Sequence, residues 1–309
     1  MLVNHTTFRI GGPAKYFFVA KTQKELIEVL RWAKENHLPY FILGGGSNLL
    51  VADEGFDGLV IKIQNSKFNP VFTTGQNDNV ECKISAEAGV SFAQIILETT
   101  KNGYSGAEWG FGIPGTVGGA IVGNAGRLGR DIAPVVDSVK ILDANFNEKI
   151  IPARECGFAY RESRFKKTGE IILSADLIFK KEQPEKIDKI LSEAKAAVRK
   201  SPPFPSAGCI FKNYKLKEND SLLARHPELT GQVRGGKIGV GFLIDRCGLK
   251  GRQIGGAKIW EGHANYIINT GSAKAQDVLA LIKQCKSIVK EKFGVELEEE
   301  IRYVGIESH

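Results

Sequence analysis

No run of about eighteen apolar residues occurs in this chain, which excludes a transmembrane helix. The opening residues, Met-Leu-Val-Asn-His-Thr-Thr, lack a basic region followed by an apolar one, so no secretory signal is expected. Cysteine is sparse: five residues among 309, at 82, 156, 209, 247 and 285, an odd number with no Cys-x-x-Cys pair. That spacing argues against a zinc site and a disulfide scaffold, so no metal is expected and the expected location is the reducing cytoplasm. Acidic residues are outnumbered, leaving a net charge of +7 and a pI of about 9.0. The basic residues are scattered, however, and no Lys/Arg stripe interleaves with aromatics. The charge alone leaves open a nucleic-acid-binding protein or a field that attracts anionic small molecules. No internal repeat with a period of roughly 20–50 residues is evident. What remains is ordinary globular composition, 42% hydrophobic and 25% charged. The length suits about two or three domains.

Glycine is abundant instead, 35 residues, and it is clustered. Gly44-Gly45-Gly46-Ser47-Asn48 follows an apolar run, and Gly110–Gly119 continues to Gly123-Asn124-Ala125-Gly126. Neither segment has the spacing of a dinucleotide fingerprint or a P-loop. Backbone without Cβ atoms can approach an anionic ligand closely and form concave nests. Tight turns packed on a sheet are the plainer explanation for one such loop. Two loops, both with small hydroxyl or amide residues (Ser47, Asn48, Thr116, Asn124), favour a long ligand with a pyrophosphate at its middle.

The most informative stretch is Ser206-Ala-Gly-Cys-Ile-Phe-Lys-Asn213, just after Pro202, Pro203 and Pro205. A small-residue turn presents one protonatable side chain, Cys209. A strand near 209–212 then carries a cation and an amide, Lys212 and Asn213. A proton donor beside anion-binding groups suits a reaction that makes a carbanion next to a carboxylate. A thiol with a pKa near 8.5 stays mostly protonated at neutral pH. A core cysteine beside a solvated lysine is the competing explanation.

Thr22-Gln-Lys-Glu25 reads as a capping box with Leu26, Ile27, Val29, Leu30 and Ala33 at helical spacing behind it. Strands are expected at Tyr40–Leu43 and Leu59–Ile63, then near 80–86, 135–142, 170–179, 255–260, 265–269 and 297–304. Helices are expected at 91–101, 185–200, 241–247 and 273–293. The last places Val278, Leu279, Leu281, Ile282, Cys285, Ile288 and Val289 on one stripe. This mixed order predicts an α+β protein, divided at 1–65, 66–200 and 201–309.

Leu43-Gly-Gly-Gly-Ser-Asn-Leu-Leu50 and Gly112-Ile-Pro-Gly-Thr-Val-Gly-Gly-Ala120 resemble the FAD-binding loops of the UDP-N-acetylenolpyruvoylglucosamine reductases. The resemblance continues collinearly through Thr7-Phe-Arg-Ile-Gly-Gly-Pro13, Tyr160-Arg-Glu-Ser163, Gly208-Cys-Ile-Phe-Lys-Asn213, Ile244-Asp-Arg-Cys-Gly-Leu-Lys-Gly251, His263-Ala-Asn-Tyr266 and Leu297-Glu-Glu-Glu-Ile301. It implies a two-lobed FAD-binding domain of the vanillyl-alcohol-oxidase type, followed by an α+β substrate-binding domain. FAD would lie against Gly44, Gly45, Gly46, Ser47, Asn48 and Leu49 and against Pro114, Gly115, Thr116, Gly118, Gly119 and Asn124. NADPH would reduce the flavin, and hydride would pass from flavin N5 to C3 of the enolpyruvyl group. Arg161, with its rigid charged fork, and Glu300, with Glu298 as the fallback, would stabilise charge on the substrate carboxylate. Cys209 would protonate C2, where most members carry serine. Lys212 and Asn213 would contact substrate phosphate or sugar, and His263 would lie near the substrate.

Tyr214 stands where the family has proline, and the segment from Lys215 to Lys237 is long and polar. No extra tyrosine-bearing loop lies between Ser163 and Gly169, as in the family's second type. The expected partners are the UDP-sugar and NADPH, without nucleic acid or membrane insertion and with a monomer as the default. A flavin oxidase sharing the FAD domain is the alternative enzyme. The matches in the last hundred residues weigh against it.

Overall fold

The structure, a computed structural model, describes residues 1–72, 81–218 and 220–306. Its compact units are not continuous in the chain. One comprises Met1–Ala14, Gly46–Asp57 and Lys200–His309; the other comprises Lys15–Gly45 and Gly58–Arg199. The boundaries between these units fall at 14/15, 45/46, 57/58 and 199/200. Residues 1–14 and 46–57 group with the C-terminal region, and the physical cause lies in their partners. Leu49–Val51 pairs in parallel with Arg302–Val304. Phe8 and Ile10 are buried in the same core as the C-terminal helices. The Asn269 amide donates to the Phe8 and Arg9 carbonyls at 3.2 and 3.0 Å.

In the second of these units, helix Gln23–Glu35 starts as its sequence predicts. The Glu25 N–H donates to Thr22 Oγ1 at 3.1 Å, and the Glu25 carboxylate accepts from the Lys21 N–H at 2.7 Å. Leu26, Leu30 and Ala33 are buried from it. A three-stranded sheet orders Ala14–Ala20, Phe56–Ile63 and Tyr40–Leu43, the last two parallel with Leu43 opposite Lys62. A larger antiparallel sheet orders Glu148–Pro152, Val136–Leu142, Ile171–Lys181, Glu81–Glu87 and Phe68–Phe72. Cys82, Ile84 and Ala86 alternate inward along Glu81–Glu87. Residue 80, where that strand is expected to begin, lies outside the described residues. Helices Phe92–Lys101 and Pro184–Arg199 fall within two residues of their expected limits.

In the unit that holds the C-terminus, an antiparallel sheet orders Ser206–Cys209, Tyr266–Asn269, Ala257–Ile259 and Gln253–Ile254. Helix Ala275–Phe293 buries Val278, Leu281, Ile282, Cys285 and Val289; Leu279 and Ile288 pack at the stripe's margin. The Asp53 carboxylate accepts the N–H groups of Ala275 and Gln276 at 2.8 and 3.2 Å, satisfying two free donors of the helix start. The strand expected near 209–212 is shifted to Ser206–Cys209, and that expected over 297–304 is reduced to Arg302–Val304 and one bridge, Phe211 to Glu299.

The polar segment from Lys215 to Lys237 is a closed excursion. It leaves and returns through an antiparallel pair, Tyr214 opposite Ile238 and Lys215 opposite Lys237. Leu222 and Leu229 are buried from within it, and the Tyr214 hydroxyl donates to Asp220 at 2.8 Å. Asn213 and helix Val240–Arg246 therefore remain neighbours, with Asn213 Oδ1 accepting the Val240 N–H at 3.3 Å. Among the described residues no helix is long and apolar enough to cross a membrane. No group of His, Cys, Asp or Glu among them is placed to hold a metal.

Candidate active site

The two glycine-rich loops meet within the Lys15–Gly45 and Gly58–Arg199 unit. Strand Tyr40–Leu43 delivers Gly44 and Gly45 to the loop at 115–116. A Cβ on Gly45 would lie 2.7 Å from the Gly115 Cα, and one on Gly44 would lie 2.8 Å from Thr116 Oγ1. The approach is backbone to backbone, and only glycine at 45 permits it. Thr116 opens helix Val117–Gly123, its hydroxyl accepting the Gly119 N–H at 3.3 Å. A Cβ added to Gly119 meets only that hydroxyl, at 3.5 Å, and one added to Gly123 meets nothing within 4 Å. Main chain is therefore left open along one side of helix Val117–Gly123, next to the close approach of the two loops, a fit for a cofactor whose phosphates are held by main-chain groups.

The chain leaves this unit between Gly45 and Gly46, so Gly46, Ser47, Asn48 and Leu49 belong to the other. There the Thr7 N–H donates to the Gly46 carbonyl at 3.0 Å.

Replacing Gly45 with valine forces the two loops apart. The expected product is a protein with the native far-ultraviolet dichroism and no bound flavin. A full flavin complement in Gly45→Val would reduce the loop contact to packing alone.

The Asn124 side chain is held by the protein itself. It is 2% exposed, it ends helix Val117–Gly123 in the left-handed region at φ +40°, and both ends of its amide are engaged by protein. Its Nδ2 donates to the Ala159 carbonyl at 2.8 Å, and its Oδ1 accepts the Ala133 N–H at 3.3 Å. Buried Ser163 adds a second tie, donating to the Val122 carbonyl at 2.8 Å. Together they staple the glycine-rich helix to the turn that carries Arg161. That turn is closed by reciprocal Ala159–Glu162 main-chain bonds of 3.0 Å each. Arg161 sits in it at φ +58°, where a non-glycine residue costs about 1 kcal/mol or more. Its Nη2 donates to the Gly126 carbonyl at 2.6 Å, and its guanidinium lies 5.6 Å from the Tyr160 ring centroid. Glu170 accepts from Arg164 Nε and Nη2, at 3.0 and 2.8 Å, and Glu162 lies 3.7 Å from Lys166.

Cys209, Lys212, Asn213, His263 and Glu300 all belong to the other unit, where Cys209 ends a sheet strand and the residues after it meet the segment of Glu300. Pairing steps from Ser206 opposite Ile268 to Cys209 opposite Tyr266, so one extra residue is accommodated. Gly208 takes the strain at φ +81°. Such a bulge re-aims the side chain that follows. Cys209 is half-buried, unlike Cys82, Cys156 and Cys285 in the cores. Burial pushes those three thiols up, to about 11 for Cys82 and Cys156 and about 12 for Cys285.

Over the next three residues the chain meets its own C-terminal segment. The Glu300 N–H donates to the Ile210 carbonyl at 2.7 Å, and the Lys212 N–H donates to the Glu298 carbonyl at 2.9 Å. The Asn48 amide holds the Glu300 carbonyl at 3.0 Å. The three adjacent glutamates are thereby told apart. Glu298 is mostly exposed and pairs with the nearly buried Lys212 Nζ at 2.5 Å. Glu299 pairs with Lys286 at 2.8 Å. Glu300 is anchored through its main chain beside the residue that follows Cys209.

His263 keeps an exposed edge, while its Nδ1 accepts the Asn265 N–H at 3.2 Å and its ring lies edge-on to Tyr266, centroids 5.3 Å apart. Loss of water around the packed part of the ring holds its pKa below the ordinary histidine value. Asn265 itself, buried and doubly bonded to Phe211, had no role assigned from sequence, although it lies inside the His263–Tyr266 motif.

Residues 199–304 match the profile of the C-terminal domain of UDP-N-acetylenolpyruvoylglucosamine reductase, and residues 14–145 match that of an FAD binding domain. A UDP-N-acetylenolpyruvoylglucosamine reductase of Caldanaerobacter subterraneus subsp. tengcongensis is 40% identical over 303 residues, 97% of this chain and 91% of that one. The chain belongs to the UDP-N-acetylenolpyruvoylglucosamine reductase family. One from Chlamydia pneumoniae is also 40% identical, over 98% of this chain and 90% of that one. The crystal structure of the reductase from Thermus caldophilus superposes with a TM-score of 0.74 at 32% identity, covering 98% of this chain and 97% of that one. The chain is thus an α+β oxidoreductase with an FAD-binding domain, and the collinear motifs of its sequence are those of this family.

Proposed function

We propose that the protein reduces the enolpyruvyl ether of UDP-N-acetylglucosamine with electrons from NADPH, giving UDP-N-acetylmuramate for peptidoglycan synthesis in the cytoplasm. One observation carries this reading. A half-buried thiol, Cys209, is presented on a glycine-dependent bulge, and Glu300 is anchored to the residue directly after it. That main-chain tie brings the segment carrying Glu300 to the segment carrying a proton donor, which supports a site where a carbon next to the substrate carboxyl group is protonated.

The main chain at 44–49 and 114–119 holds the cofactor. FAD, when bound, supplies the hydride relay between NADPH and C3 of the enolpyruvyl group. Arg161 and Glu300 polarise the substrate carboxylate, so charge that develops on C2 is met by groups already in place. Cys209 Sγ delivers its proton to C2. Lys212 takes an anionic group of the UDP-sugar, with Asn213 and His263 lining the same side.

The purified protein is expected to show a flavin spectrum that bleaches on anaerobic addition of NADPH. Colour should return when UDP-N-acetylglucosamine enolpyruvate is added, still without oxygen. Absence of flavin, or reduced flavin that only oxygen reoxidises, sinks this function; the second result would indicate a flavin oxidase.

A further inference from the structure

We infer that Asn265 is a positioning residue for proton delivery, fixing the main chain between Cys209 and Glu300, an assignment that rests on the roles proposed for those two residues. Regular pairing of Ser206–Cys209 with Tyr266–Asn269 ends at the Cys209–Tyr266 position. Beyond it, the Asn265 side chain takes over from the ladder. The Phe211 N–H donates to Asn265 Oδ1 at 3.0 Å, Asn265 Nδ2 donates to the Phe211 carbonyl at 2.8 Å, and the Ile210 N–H donates to the Asn265 carbonyl at 2.8 Å. The amide therefore reproduces both sides of a main-chain pair, which no hydrocarbon side chain can do. Asn265 and Phe211 are each 2% exposed, so water does not replace these bonds.

The opposite side of this segment carries the acidic residues, through bonds that flank Phe211: the Glu300 N–H to the Ile210 carbonyl and the Lys212 N–H to the Glu298 carbonyl. Ile210 and Phe211 are thus clamped between Asn265 and the segment that supplies Glu300. The thiol at 209 is set by a bulge on one side and by this clamp on the other. His263 Nδ1, accepting the Asn265 N–H, fixes the clamp's own backbone. A shift of about 1 Å in a reacting group from a remote change is enough to cost up to roughly a hundredfold in rate.

The test is rapid mixing of the holoenzyme carrying Asn265→Ala or Asn265→Asp. Aspartate keeps the shape and the acceptor for Phe211 N–H, but when ionised it brings no proton to the Phe211 carbonyl. Flavin reduction by NADPH should stay within about twofold of wild type, and flavin reoxidation by the enolpyruvyl substrate should slow by about tenfold or more. The KM for that substrate should change little. The solvent deuterium isotope effect on reoxidation should rise, because proton transfer becomes limiting; a purely structural residue would not change it.

Cys209→Ala is measured alongside. Wild-type reoxidation and isotope effect in both Asn265 variants, with Cys209→Ala slow, overturn the role of Asn265 and leave Cys209 in place. Wild-type reoxidation in Cys209→Ala removes both. If Asn265→Ala does not fold, Asn265→Asp decides; if neither yields holoenzyme, Asn265 is structural only and the inference fails.

Discussion

Cys209→Ala is expected to fold, bind FAD and accept electrons from NADPH, then fall by about 10² or more in reoxidation by the enolpyruvyl substrate. The position favours this over a packing role. Cys209 is half-buried on a bulge, whereas Ala207 and Ile210 beside it carry the core contacts. Loss of one partly exposed sulfur should cost about 1 kcal/mol or less in stability. Cys209→Ser should restore much of the rate, since a hydroxyl also holds a transferable proton. A thiol reagent gives an independent measure. Cys82, Cys156 and Cys285 are sealed in the cores with raised pKa values, and Cys247 is raised by burial as well. In a Cys247→Ser background, rapid labelling should therefore report on Cys209, and the UDP-sugar should protect it. Wild-type reoxidation by Cys209→Ala would take the thiol out of the reaction.

The features legible in the sequence are those with local causes. Thr22 and Glu25 cap a helix through bonds spanning three or four residues, and the 278–289 stripe follows from helical period alone. The glycine clusters mark real turns, and the order of motifs identifies the family. What escaped depends on partners far away in the chain. Leu49–Val51 is paired with Arg302–Val304, so residues 46–57 join the C-terminal unit, and no composition shift near 57 announces it. The bulge at Gly208 breaks strict alternation. Three asparagines act through side-chain amides that no periodicity reveals: Asn48 on Glu300, Asn124 on Ala159, and Asn265 on Phe211. The side chain of Asn124, in the glycine-rich run, braces the turn of Arg161.

That turn makes Arg161 the second position where a large effect is expected. A lysine there keeps a positive charge but lacks the planar fork, and its charge sits at a different distance from the backbone. Arg161→Lys should leave flavin reduction by NADPH nearly intact and slow reoxidation by the enolpyruvyl substrate by at least about two orders of magnitude, as for loss of a preorganised charge-stabilising donor. The backbone supplies a sharper contrast. At φ +58° the arginine is held in a region that glycine enters without penalty. Arg161→Gly relieves that strain while losing the bond to the Gly126 carbonyl, so the melting temperature should move by only a few degrees. Its second half-reaction should nonetheless be at least as slow as that of the lysine variant. Strain retained at a residue whose replacement is thermally tolerated is what a group kept for chemistry shows. If both variants slow the two half-reactions equally, or if Arg161→Gly reoxidises at the wild-type rate, the guanidinium serves the fold and not the substrate carboxylate.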